Sequence, residues 1–114
     1  MRRNHKGKNY LDMIPRIKAG LKWKQKENGT IEIIKENKGL LNKIAITLYG
    51  MPKETRVSLD QYGNFVWLMI DGEKTIFQIA EQVKEKFGEN AEPLYERLCT
   101  YFKSLEANGF VEVS

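Results

Sequence analysis

Cysteine is almost absent from this chain. Cys99 stands alone among 114 residues, so no internal disulfide can form and no thiolate cluster can hold zinc. Histidine is equally scarce: His5, in the opening "MRRNHKGKNY", has no second imidazole with which to share a metal or build a histidine-based triad. Neither GxGxxG nor GxxxxGK[ST] occurs, which excludes the common phosphate-cradling loops. Long apolar runs are missing too. "FVWLMI" reaches only six residues before Asp71 interrupts it, against the roughly 20 that a membrane helix needs. The basic start has no apolar stretch behind it and does not read as a secretory signal. These absences argue against an enzyme, a cofactor or metal site and a membrane protein, and the expected location is the cytoplasm.

What is present is ordinary globular material, 41% hydrophobic and 30% charged, in a length that suits one domain. The net charge of +4 conceals a division. Residues 1–56 hold 14 Lys/Arg against 5 Asp/Glu, whereas residues 57–114 hold 5 against 10. A basic first half suits nucleic acid, an acidic peptide or an acidic protein face. Solvated lysines that keep edge strands soluble account for it equally well.

Residues 1–9 have no periodicity and read as a flexible basic tail; residues 10–114 read as a single domain. Pro15 favours an extended start. "GLKWKQKENGTIEIIKEN" alternates apolar and basic residues around Asn28-Gly29, a strong hairpin signal because a type I′ turn needs φ > 0 twice. A two-residue loop there sets Glu27 opposite Thr30 and Trp23 opposite Ile34. In "KGLLNKIAITLYGMPKE" the spacing of Leu40, Leu41, Ile44, Ala45 and Leu48 predicts a short helix, stopped by Gly50 and Pro52. "TRVSL" reads as a strand over 55–59, with Val57 and Leu59 on one face and Arg56 and Ser58 on the other.

Three helices follow. The first, about 61–70, is capped by Asp60, carries Tyr62, Phe65, Val66 and Met69 as a stripe, and stops at Asp71-Gly72 through a left-handed glycine. The second opens on a capping box from Thr75 to Gln78, buries Ile76, Ile79, Ala80, Val83 and Phe87, and stops at Gly88. The third starts near Asn90, takes Pro93 into its first turn, and ends at Asn108-Gly109 with Phe110 folding back. Trp23, Phe65, Trp67, Ile79, Leu98 and Leu105 are expected to be buried. Asp60, Asp71 and Glu73 are explained by caps and turns rather than by paired catalytic carboxylates.

"LDQYGNFVWLMIDGEKTIFQIAEQVKEKFG" followed by "LYERLCTYFKSLEANGFV" resembles the PqqD-like family, also described as RiPP recognition elements. The pattern is a strand ending in Leu-Asp, an apolar helix ending in Asp-Gly, a Thr-capped helix with Ile-Ala, and a last helix ending in Leu, Gly and an apolar pair. It covers roughly residues 57–113. The resemblance implies an α+β, winged-helix-like domain, a three-stranded antiparallel sheet packed on three carboxy-terminal helices. The segment 37–53, with its extra short helix, departs from the short family pattern. Members bind the leader of a ribosomally made precursor peptide and present it to a modifying enzyme, often a radical-SAM protein. The leader adds to the third strand, in the cleft beside the third helix; by position these are residues 55–59 and about 91–108.

The third helix adds its own signal. Leu94, Leu98, Tyr101 and Leu105 form a compact stripe at about 100° per residue, and Tyr95, Cys99 and Phe102 widen it on one flank. The widening suits either a groove for a peptide's side chains or a cover supplied by segment 37–53. A buried, inert thiol is the favoured reading of Cys99. The candidate peptide-binding residues are therefore Arg56, Val57, Ser58 and Leu59 on the strand, with Tyr95, Cys99 and Phe102 on the helix. Arg56 and Lys103 are candidates for holding acidic leader residues at the rim. Two readings compete with this one. A winged helix that reads DNA should carry a basic third helix, but Glu92, Glu96, Arg97, Lys103 and Glu106 sum to −1. A protein–protein adaptor without a peptide leader is the other.

Overall fold

In the computed structural model, which describes residues 9–36, 47–50 and 53–114, the chain is a mixed α+β protein. The described residues divide into two compact units, one within 20–64 and the other made of 9–19 with 65–114.

In the 20–64 unit, β2 (Lys22–Gln25), β3 (Ile31–Glu36) and β4 (Glu54–Ser58) form an antiparallel sheet in the order β2-β3-β4. The expected hairpin is present, but its loop is one residue longer than the Asn-Gly signal implies. Lys26 N–H donates to Thr30 O at 2.9 Å and Gly29 N–H to Lys26 O at 2.8 Å, so the loop is 27–29. Within the loop Gly29 takes a left-handed φ, +89°, and none of the described non-glycine residues does, which excludes a type I′ turn at Asn28. This is the three-residue loop ending in a left-handed glycine. Asn28 Oδ1 accepts from Thr30 N–H at 3.0 Å and closes it.

The extra residue shifts the pairing by one. Trp23 lies opposite Ile33, not Ile34. Ile33, on the central strand, is fully buried, while Trp23, on an outer strand, keeps 38% of its surface exposed. The expected burial of Trp23 is thus overturned. Strand β4 matches the expectation for 55–59: Val57 lies opposite Ile33 and Arg56 opposite Ile34, so the two faces alternate as anticipated. Asp60 caps the next helix, its Oδ1 accepting from Gly63 N–H at 2.7 Å, a cap of a kind that contributes about 1 kcal/mol. Asn64 ties that first turn to the hairpin: its Oδ1 accepts from Ile31 N–H at 3.0 Å and its Nδ2 donates to Gly29 O at 3.2 Å.

In the other unit, β1 (Pro15–Ile17) pairs antiparallel with β5 (Val111–Val113), a second sheet that the sequence pattern did not announce. Helix α1 (Gln61–Met69) begins in the 20–64 unit and ends here, followed by α2 (Ile76–Phe87) and α3 (Leu94–Ala107). On α1 and the residue after it the buried positions are Gly63, Val66, Trp67 and Ile70, one residue on from the anticipated stripe; Tyr62, Phe65 and Met69 are half-buried. That shift brings Trp67 fully inside and leaves the Phe65 ring edge-on to Phe87 at 5.6 Å.

The corner between α1 and α2 is built as the sequence suggests. Gly72 has φ +79°. Asp71 Oδ1 accepts from the N–H groups of Glu73 and Lys74 at 2.9 and 2.8 Å, and both halves of the Thr75–Gln78 capping box are formed. Ile76, Ile79, Ala80 and Val83 are buried, whereas Phe87 is only half-buried.

Helix α3 starts at Leu94, later than expected, with Pro93 as its N-cap and a short 3-10 turn over Gly88–Ala91 before it. A proline disfavours helical geometry in the residue before it, and Glu92 is extended, so the helix cannot run through that position. Its end follows expectation: Gly109 N–H donates to Glu106 O and Phe110 N–H to Leu105 O, both at 2.9 Å, the two bonds of a Schellman motif.

Leu98 and Leu105 are buried as anticipated. The helix expected within 37–53 falls mostly outside the described residues, of which 47–49 are helical. The expected tail lies outside them except for Asn9, whose Oδ1 caps a 3-10 turn at Tyr10–Asp12.

Candidate functional site

Backbone geometry at β4 is the first element of the site. Leu59 N–H donates to Ile31 O at 3.0 Å, directly opposite in register. In an antiparallel pair, hydrogen-bonded positions recur every second residue, so Val57 and Thr55 also face β3. The N–H and C=O groups of Glu54, Arg56 and Ser58 therefore point to the other side. Among the described residues β4 pairs with β3 alone, so that other side is an open sheet edge.

The outer edge of β2 is the second such edge, but its strand carries Lys22 and Lys24, with Lys26 just beyond, in the manner by which proteins protect edges from accidental pairing.

One face of this sheet is a charge network centred on Glu32, a residue the sequence reading overlooked. Its carboxylate lies 3.0 Å from Lys26 Nζ, 2.8 Å from Arg56 Nη1 and 3.8 Å from Lys24 Nζ, with its side chain only 7% exposed. Hydrogen bonds from Lys26 and then from Arg56 hold its pKa below the usual carboxylate value. The alternating lysines around a glutamate on the same strand face were the available signal. Arg56, expected at the rim of a leader groove, is committed to Glu32 instead of standing free.

The remaining strand candidates lie where expected: Val57 and Leu59 are half-buried and Ser58 is exposed. The helix candidates belong to the other unit and differ from one another. Phe102 is fully buried and replaces Tyr101 in the stripe with Leu94, Leu98 and Leu105; Tyr101 is half-buried on its flank. A core ring cannot line an open surface, and Phe102→Ala would test stability, at about 3–5 kcal/mol, before it tested binding.

Lys103 Nζ sits 5.3 Å from the centroid of the Tyr10 ring, while Tyr10 Oη donates to Glu106 Oε1 at 2.8 Å. Tyr95 is 46% exposed and stacks on Phe77. Cys99 is half-buried, and that burial raises its thiol pKa, with Lys103 opposing, so the protonated form is favoured. Asp71, by contrast, is held well below the usual range by the Lys74 ammonium and the backbone N–H groups of Lys74 and Glu73; it is a cap. Among the described residues no group of three or more His, Cys, Asp or Glu is placed to hold a metal, and no helix is long and apolar enough to cross a membrane.

Compared with protein-family models, the chain matches PqqD, coenzyme PQQ synthesis protein D, over residues 48–111, more than half of its length. The chain belongs to the PqqD family. No curated protein and no solved structure matches it. The PqqD match takes in β4, all three helices and the first residue of β5, and leaves out the hairpin of β2 and β3. What the chain shares with that family is thus the stretch from β4 to the start of β5.

Proposed function

We propose that this chain is a non-catalytic peptide-binding protein that takes the leader of a ribosomally made precursor as an added strand on β4. It then presents that peptide to a modifying enzyme of the radical-SAM type. The observation that carries this reading is the open edge of β4, where Glu54, Arg56 and Ser58 turn their backbone groups outward. Strand addition draws affinity from such main-chain groups and selectivity from alternate side chains. The lysines of β2 favour β4 over the sheet's other edge. Membership of the PqqD family supports a leader peptide as the ligand, and with it a winged-helix-like arrangement.

Non-catalytic action is supported by the occupations of the reactive groups: Asp60 and Asp71 serve as caps, and the Cys99 thiol is kept protonated. The helix candidates carry less of the argument, because Phe102 is buried and Lys103 lies over Tyr10. The test is a titration of the labelled full chain with a leader peptide encoded beside its gene, following backbone amides. Saturable shifts at 54–59 are expected. Silence there, with shifts elsewhere, refutes strand addition on β4.

A further inference from the structure

Helices α2 and α3 each begin with an exposed aromatic ring, and the two rings meet. Phe77 and Tyr95 stack with centroids 6.2 Å apart and planes 13° from parallel, yet remain 41% and 46% exposed. They form one end of a cleft of about 560 Å³, lined also by Leu94, Glu81, Lys84 and Glu85. Phe77, Glu81 and Glu85 follow one another at intervals of four, on a single face of α2. Neither carboxylate is ion-paired among the described residues, although Lys84 is within reach along the helix.

We propose that this cleft is a docking site for an arginine-bearing segment of a protein partner, with the guanidinium stacked on the Phe77–Tyr95 rings and hydrogen-bonded to Glu81 or Glu85. Charge complementarity selects the occupant. Aromatic faces attract a cation, and two carboxylates against one lysine leave the cleft net negative. A planar guanidinium fits a flat ring face and a carboxylate at once, which an ammonium does not. The cleft belongs to the unit of α2 and α3 and β4 to the 20–64 unit, and each is tested by its own titration, so the failure of either reading leaves the other intact.

The probe is the capped peptide Gly-Arg-Gly-Arg-Gly, titrated into the ¹⁵N-labelled full chain beside the same peptide with citrulline for arginine. Citrulline keeps the shape and loses the charge. The arginine peptide is expected to shift the amides of Phe77, Glu81, Glu85 and Tyr95, and citrulline to bind about tenfold more weakly. The variant carrying both Glu81→Gln and Glu85→Gln is expected to lose a similar factor for the arginine peptide. Both positions are exposed, and a dispersed amide spectrum verifies that the variant is folded.

Equal response to citrulline would overturn the proposal in favour of an uncharged peptide. Shifts centred on other acidic residues, with the cleft silent, would overturn it as diffuse charge attraction. Concentration-dependent shifts at these residues without any peptide would assign the cleft to a second copy of the chain and overturn it as well.

Discussion

Replacing Ser58 by proline separates strand addition from sheet stability. Ser58 N–H faces away from β3, so proline there removes a donor that the protein's own ladder does not use. The preceding Val57 is already in a strand, the geometry that a following proline prefers. Val57→Pro is the contrast, because that N–H faces β3 and its loss strands a carbonyl of Ile33. In a buried ladder the unmet partner costs about 1–3 kcal/mol. Ser58→Pro is therefore expected to lower folding stability by no more than about 1 kcal/mol, with Val57→Pro clearly worse. An added peptide strand bonds the outward groups, so Ser58→Pro deletes one of its hydrogen bonds and leaves a peptide carbonyl unmet. A penalty of about 1–2 kcal/mol weakens binding roughly 5- to 30-fold. Urea unfolding gives the first quantity and calorimetric titration with the leader peptide the second. A folded Ser58→Pro protein that binds like the parent would refute strand addition at this edge.

Gly72→Val should destabilise by more than about 1 kcal/mol, since φ of +79° resists a β-branched residue; a Cβ there meets Arg16 Cγ at an ordinary 3.6 Å, so the Cβ itself has room and the strain begins in the backbone. An unchanged urea midpoint would show that the corner tolerates any side chain. The carboxyls of Asp71 and Glu32 are both depressed in the folded state, so the unfolded chain binds more protons. Their stabilisation is complete above their ordinary values of 3.8 and 4.5 and is lost as pH falls through the folded ones. Thermal unfolding should therefore worsen steadily below about pH 4.5, and less steeply for Asp71→Asn; an identical acid slope would contradict the cap's role. Acrylamide should quench Trp23 and spare Trp67, which is fully buried; Trp23→Phe should then leave an almost unquenchable signal.

Much of the candidate site was legible because short-range chemistry specifies it. The alternation in 55–59 separates Val57 and Leu59 from Arg56 and Ser58 whatever the rest of the chain does, since side chains on a strand must alternate. The caps at Asp60 and Thr75, the left-handed Gly72 and the Schellman end at Gly109 are satisfied by partners within a few residues. Such features are encoded where they act.

Tertiary structure decided everything that depends on a distant neighbour. One extra loop residue moved Trp23 from Ile34 to Ile33, and its place on an outer strand left it exposed. Helical periodicity locates a stripe only to about one residue, or 100° of rotation, so packing chose Trp67 over Phe65 and Phe102 over Tyr101. Residues from opposite ends of the described chain made β1 and β5 a sheet, because three-residue strands carry too little pattern of their own and are held by pairing. Glu32 reads in sequence as one more solvated charge, and only the pairing of three strands gathers Lys24, Lys26 and Arg56 around it. The Phe77–Tyr95 cleft is the same kind of fact: two exposed rings on separate helices become a surface only once α2 and α3 have met.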